Sequence, residues 1–205
     1  MKACGGLAGA VAALVMVAGV VSSPVLAADD VASRLDTART AYQKGDLTRA
    51  ARDTEAALQM LQDRLGKLFG ETLPSLGKGW DGDGVEVASL GDAGGGLSIS
   101  RAYAKGDASL NASLLLDSAE LESTKALLAQ PATQPHVKKL KVGAEDALLR
   151  FDPATNGGEI TMVVAGRVVL EVQGDNITNA DILIEAANGW NVAKIKTLLG
   201  NEITR

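Results

Sequence analysis

Leu97-Ser98-Ile99-Ser100-Arg101-Ala102-Tyr103-Ala104-Lys105-Gly106-Asp107-Ala108-Ser109-Leu110-Asn111-Ala112-Ser113-Leu114-Leu115-Leu116 is the stretch on which the fold turns. Leu97, Ile99 and Tyr103 recur at every second position with Ser98, Ser100 and Ala102 between them, which is the period of a strand with one buried face. Gly106-Asp107 sits where a tight reversal is needed. Strands over 97–104 and 108–116 are therefore expected to pair as an antiparallel hairpin.

The same punctuation continues on both sides. Upstream, Gly77, Gly79, Gly82, Gly84 and the glycine cluster over 91–96 break the chain into short pieces, one of which, 85–90, has strand character. Downstream, Asp117-x-x-Glu120 has the form of a capping box opening a helix that runs to about Ala129, and Pro131 and Pro135 then force a loop. Further strands are expected over 137–142, 147–151, 159–165 and 168–173, with Gly166-Arg167 as the last tight turn. Thr178-x-x-Asp181 is expected to cap a helix to about Asn188 that ends at Gly189. Val192, Ile195, Leu198 and Leu199 give a final helix its apolar face. Short connections between strands imply an antiparallel sheet with covering helices, so the fold class is α+β.

Ahead of this lies a different pattern, without proline or β-branched runs. Val31, Leu35, Ala38 and Tyr42 follow helical spacing, Lys44-Gly45-Asp46 interrupts it, and Ala50, Ala57, Leu58, Leu61, Leu65 and Leu68 resume it. Asp46 is placed to cap the second helix through its side-chain oxygen. The reading is an N-terminal helical hairpin over 28–71 followed by an α+β domain over 72–205.

Tyr42-x-x-Gly45-Asp46-Leu47-x-x-Ala50 followed by Ala57-Leu58 resembles the tetratricopeptide repeat over about 36–61, with Asp53 and Thr54 standing where that family has aromatic residues. The resemblance implies a close-packed helix pair. A single such pair forms no superhelix, since about three or more units are needed to bury a continuous core. Its stripe of Leu58, Leu61, Leu65 and Leu68 must then be covered by the following domain, by a second copy or by a partner. The arrangement from about 73 to 199 resembles PsbP-type sandwiches. Its tail, from Ala147-Leu148-Leu149-Arg150-Phe151 onward, is similar to secreted bacterial domains of uncharacterised role; both are likenesses of pattern, which carry fold and not activity.

The first 27 residues read as a secretory leader: Lys2, an apolar run over 7–21, then Ser22-Ser23-Pro24 and a Val25-Leu26-Ala27 exit with small residues at the cleavage positions. The protein is expected outside the cytoplasm, in the periplasm if its source has two membranes. Cys4, the only cysteine, would leave with the leader, which excludes a disulfide scaffold, a thiolate metal site and a cysteine nucleophile. The chain carries 20 Lys and Arg against 25 Asp and Glu, a net charge of −5, and an acidic balance argues against nucleic acid as a partner. Two Trp, two Tyr and two Phe leave little from which to build a sugar platform.

Candidate chemistry is sparse. His136 is the only histidine and lies beside Pro135 with no Gly-x-Ser-x-Gly elbow elsewhere, so it reads as a loop residue. Asp81-Gly82-Asp83-Gly84-Val85-Glu86 gathers three carboxylates but lacks the calcium-loop spacing, so no metal or cofactor is expected. Lys138, Lys139 and Lys141 form a basic strand in an acidic protein, suited either to an anionic surface or to guarding a sheet edge. Arg101 is the unusual residue. The alternation puts it, with Tyr103, on the apolar face, where a guanidinium needs a carboxylate partner or a bound anion, unless a bulge shifts the register or the stem snorkels out at the strand end.

The function these features support is non-enzymatic: an exported envelope protein serving as a protein-interaction or scaffolding module. Its candidate contact residues are Leu58, Leu61 and Leu65 on the hairpin and Arg101, Tyr103, Lys138, Lys139 and Lys141 on the domain, and its partner is another envelope protein. The second reading is a carrier or sensor of a small or lipidic ligand held between sheet and helix by Leu110, Leu114, Ile160, Met162, Leu170 and Ile182. A hydrolase is the third.

Overall fold

The computed structural model describes residues 26–130 and 135–201. The leader read over 1–27 lies outside these except for its last two residues, and so does Pro131.

Two helices come first, α1 (Leu26–Gln43) and α2 (Leu47–Gly70). Gly45 supplies the positive φ of 78° that reverses the chain between them. Asp46 accepts the Arg49 amide at 3.0 Å and so caps α2. Val31, Ala38 and Ala41 of α1 and Ala50 and Ala57 of α2 are buried where the helices meet.

Eight antiparallel strands follow: β1 (Asp81–Gly82), β2 (Glu86–Ser89), β3 (Leu97–Lys105), β4 (Ala108–Leu116), β5 (Val137–Val142), β6 (Glu145–Asp152), β7 (Gly157–Val164) and β8 (Val168–Asp175). Helix α3 (Glu120–Ala129) separates β4 from β5, and α4 (Asp181–Asn188) and α5 (Val192–Asn201) close the chain. The sheet order is β1-β3-β4-β8-β7-β6-β5, with β2 also paired to β3. The β3–β4 hairpin pairs Leu97 with Leu116 and Arg101 with Ala112. The fold is α+β, with an N-terminal helix pair and an antiparallel sheet.

Alternation fixes the two faces. Leu97, Ile99, Leu110, Leu114, Ile160, Met162, Leu170 and Val172 point to the face covered by α4, α5 and the end of α2, and form the core with Phe69, Leu183, Ile195 and Leu199. The opposite face carries Ser100, Ser113, Thr161 and Glu171 and is covered over β6, β7 and β8 by α3.

Four local expectations are corrected. The cap of α3 is Ala119, without a side-chain hydrogen bond; Asp117 instead turns at φ 51° and pairs with Arg167 at 2.5 Å. The cap of α4 is Ala180, again without a side-chain bond, and the Asp181 amide is taken by Asn179 Oδ1 at 3.0 Å rather than by Thr178. The tight turn has its positive φ at Ala165 (50°) and Gly166 (68°), one residue earlier than read, with the Arg167 amide donating to the Val164 carbonyl at 3.2 Å. Finally β7 and β8 run on through Gly158 and Gly174, which face each other across the ladder. A Cβ at Gly174 would stand 2.9 Å from Ile177 and Leu110, so these glycines make the socket for Leu183 rather than ending the strands.

Candidate functional site

Among the described residues the hairpin meets the rest of the fold chiefly along the last turns of α2. There Leu65 and Phe69 reach the core, Gln62 bonds Ser89 at 3.1 Å, Glu71 pairs with Lys194 of α5, and the Asn191 amide donates to Thr72 at 3.1 Å. Gly66 and Gly70 lie one turn apart on α2 and face Val87 and Val85, and a methyl at Gly66 would collide with Val87. Small residues at this spacing let the strand segment lie against the helix backbone. They escape a hydrophobicity reading, although a Gly-x-x-x-Gly step inside an amphipathic helix is a signal for close approach.

Beyond this contact α1 packs on α2 and the arm projects. Leu58, Leu61 and Leu68 remain 51%, 41% and 45% exposed, so the α+β domain does not cover them; only Leu65, half-buried, packs against its core. The reason is geometric: the domain meets the helix on the side of Gln62, Gly66 and Gly70, leaving the neighbouring stripe outward. That stripe is longer than the four leucines. Leu47, Ala51, Thr54, Leu58, Leu61, Leu65 and Leu68 are spaced alternately by four and three residues, the seam of a helix that packs lengthwise on another helix. Leu35 and Tyr42 of α1 extend it sideways, Tyr42 being 69% exposed, and between the helices Leu35, Tyr42, Leu47 and Thr54 line an open groove of about 400 Å³. The four-three spacing, read over the whole helix, was the signal that could have added these residues.

Asp53 is only 5% exposed. Arg34 donates to it at 3.1 Å across the hairpin, and Arg49 lies at 3.6 Å. The pairing fixes the register of α1 on α2 by charge.

The remaining candidates fall in three separate places. Arg101 is half-buried in a groove of about 600 Å³ between α2 and the β2–β3 edge, where its Nε is sealed from solvent and unbonded. Tyr103 is buried beside it, and its hydroxyl donates to the Pro74 carbonyl at 2.6 Å. Burial raises the Tyr103 pKa, and the neighbouring Arg101 charge partly offsets that rise. Lys138, Lys139 and Lys141 are exposed on the edge strand β5, far along the sheet; Lys141 pairs with Asp146 at 2.7 Å and the Lys139 ammonium donates to the Leu128 carbonyl. His136 is exposed at φ 62°, with its carbonyl accepting from Phe151. The carboxylates of 81–86 are exposed around β1, and among the described residues no cluster of potential metal ligands forms. Leu110, Leu114, Ile160, Met162 and Leu170 are buried in the core, and Ile182 packs against it.

Comparison with protein-family models, with curated proteins and with solved structures gives no match for this chain.

Proposed function

We propose that this chain is an exported, non-enzymatic envelope protein that acts as a protein-interaction or scaffolding module, gripping its partner along the seam of the helical arm. One observation carries the reading: a regular four-three seam runs along α2 with Leu47, Leu58, Leu61 and Leu68 exposed on it. Such a seam favours a helix of a second envelope protein that offers a matching stripe, laid lengthwise along α2 and flanked by Tyr42. Covering the exposed half of each leucine contributes roughly 1 kcal/mol per residue, enough in sum to drive docking. The tetratricopeptide-like turn suits the same role, since that resemblance implies a helix pair built to stack on further helices.

The test places a photo-crosslinking residue at Leu61 in the full chain, expressed in its own envelope. A discrete adduct that disappears when Leu58→Asp is added supports the reading. Absence of any adduct, or an adduct indifferent to Leu58→Asp, overturns it.

A further inference from the structure

We propose that the groove between α2 and the β2–β3 edge binds an amphiphilic anion, a carboxylate head on an apolar chain, with Arg101 and Lys67 holding the head and Val85 and Val87 lining the path of the chain. The groove measures about 600 Å³, within the ~300–1,000 Å³ range of small-molecule sites.

The charges around it argue for the sign of the ligand. Two acids and two bases line the groove; Glu71 pairs with Lys194 and Asp63 accepts only a neutral hydrogen bond from Gln59 at 3.0 Å, so with Lys194 counted one cation is in excess. Among the described residues neither Arg101 nor Lys67 has a carboxylate within ion-pair distance. The Arg101 stem lies over Gly82, and its buried Nε has no acceptor within the protein. A guanidinium in that state is costly, and a carboxylate arriving from the open side would satisfy it with paired, charge-assisted hydrogen bonds.

The walls argue for the rest of the ligand. Val85 and Val87 lie directly on the helix backbone at Gly70 and Gly66, and Val87 keeps its outer side open to solvent. A small inorganic anion would leave this apolar wall wet, whereas an acyl chain covers it.

Dodecanoate below its micelle concentration is the probe, titrated calorimetrically into the full chain, with acetate and dodecyltrimethylammonium as the head-only and reversed-charge arms. Saturable one-site binding of dodecanoate is expected, at least tenfold weaker in Arg101→Gln and in Lys67→Glu, with neither control ligand binding at the same concentrations. Lys67 is exposed, so its reversal leaves the fold intact should Arg101→Gln fail to fold. Failure of dodecanoate to bind, undiminished binding by Lys67→Glu, acetate binding as tightly as dodecanoate, or equal binding of the cationic amphiphile would each overturn the assignment.

Discussion

Glu171 shows how a single side chain can carry the pH response of this fold. It sits on the sheet face beneath α3 in a pocket of about 250 Å³ that it shares with Glu120, Glu159 and Arg150. Burial raises its pKa first; a hydrogen bond from the Gln173 amide, at 2.6 Å, pulls it down, and the Glu159 and Glu120 charges push it up again. Arg150, the cation in that pocket, offers little relief because it pairs with Glu159 at 3.4 Å. A folded-state pKa above the ordinary 4.5 means the folded chain holds this proton more tightly than the unfolded chain does. The contribution of Glu171 to stability therefore falls as pH rises from about 4.5 through the folded pKa, and the penalty is complete above it. Glu171→Gln removes that penalty. The variant should melt above its parent at pH 7, with the difference closing as pH falls toward 4.5; a variant that melts below its parent at pH 7 would sink the account.

At the scale of elements, α2 is one helix with two kinds of leucine. Leu65 packs against the core and Leu61, one turn earlier, is exposed. Leu65→Ala should cost about 1–2 kcal/mol, the lower range for a partly buried leucine, whereas Leu61→Ala should change stability by less than ~0.5 kcal/mol in urea unfolding. Equal losses at both positions would place the arm against the domain and count against the seam as a docking face. The strands were legible because alternation and glycine punctuation recur at every connection, and 108–116 and 137–142 match β4 and β5 end to end. Helix starts were less legible. Asp117-x-x-Glu120 and Thr178-x-x-Asp181 satisfy the capping spacing, yet Asp117 is drawn into the pair with Arg167 and Asn179 takes the amide offered to Thr178. Local pattern cannot foresee a competitor fifty residues away. Gly158 and Gly174 misled in the other direction, since a glycine that admits Leu183 looks the same in sequence as one that ends a strand.

For the molecule as a whole, α2 belongs both to the helical arm and to the packing against the sheet. Its last turns are held by Phe69, by the Gln62 bond to Ser89 and by the Glu71 pair with Lys194, while its first turns meet α1 through an interface of small residues, Ala38, Ala41, Ala50 and Ala57, with Val31. The place of Arg101 on the apolar face was legible from its register in β3, but what surrounds it was not: Gly66, Lys67 and Val87 come from segments whose meeting no local period encodes. An arm that buries alanines gains less from packing than a sheet that buries leucines, valines and isoleucines, so it should open without unfolding the rest. Hydrogen exchange measures this directly. Amides of α1 and of the first half of α2 should exchange at least about tenfold faster than those of β3, β4 and β8, with the change falling within α2 near Gln62, where contact with β2 begins. A partner lying on the seam would slow exchange in the arm and leave the sheet as it was, because only the arm would be spared its opening. Uniform protection across α1, α2 and β4 in the unpartnered chain would mean that the arm and the sheet unfold as one unit, and the arm would then be a buttress of the core rather than a limb extended for capture.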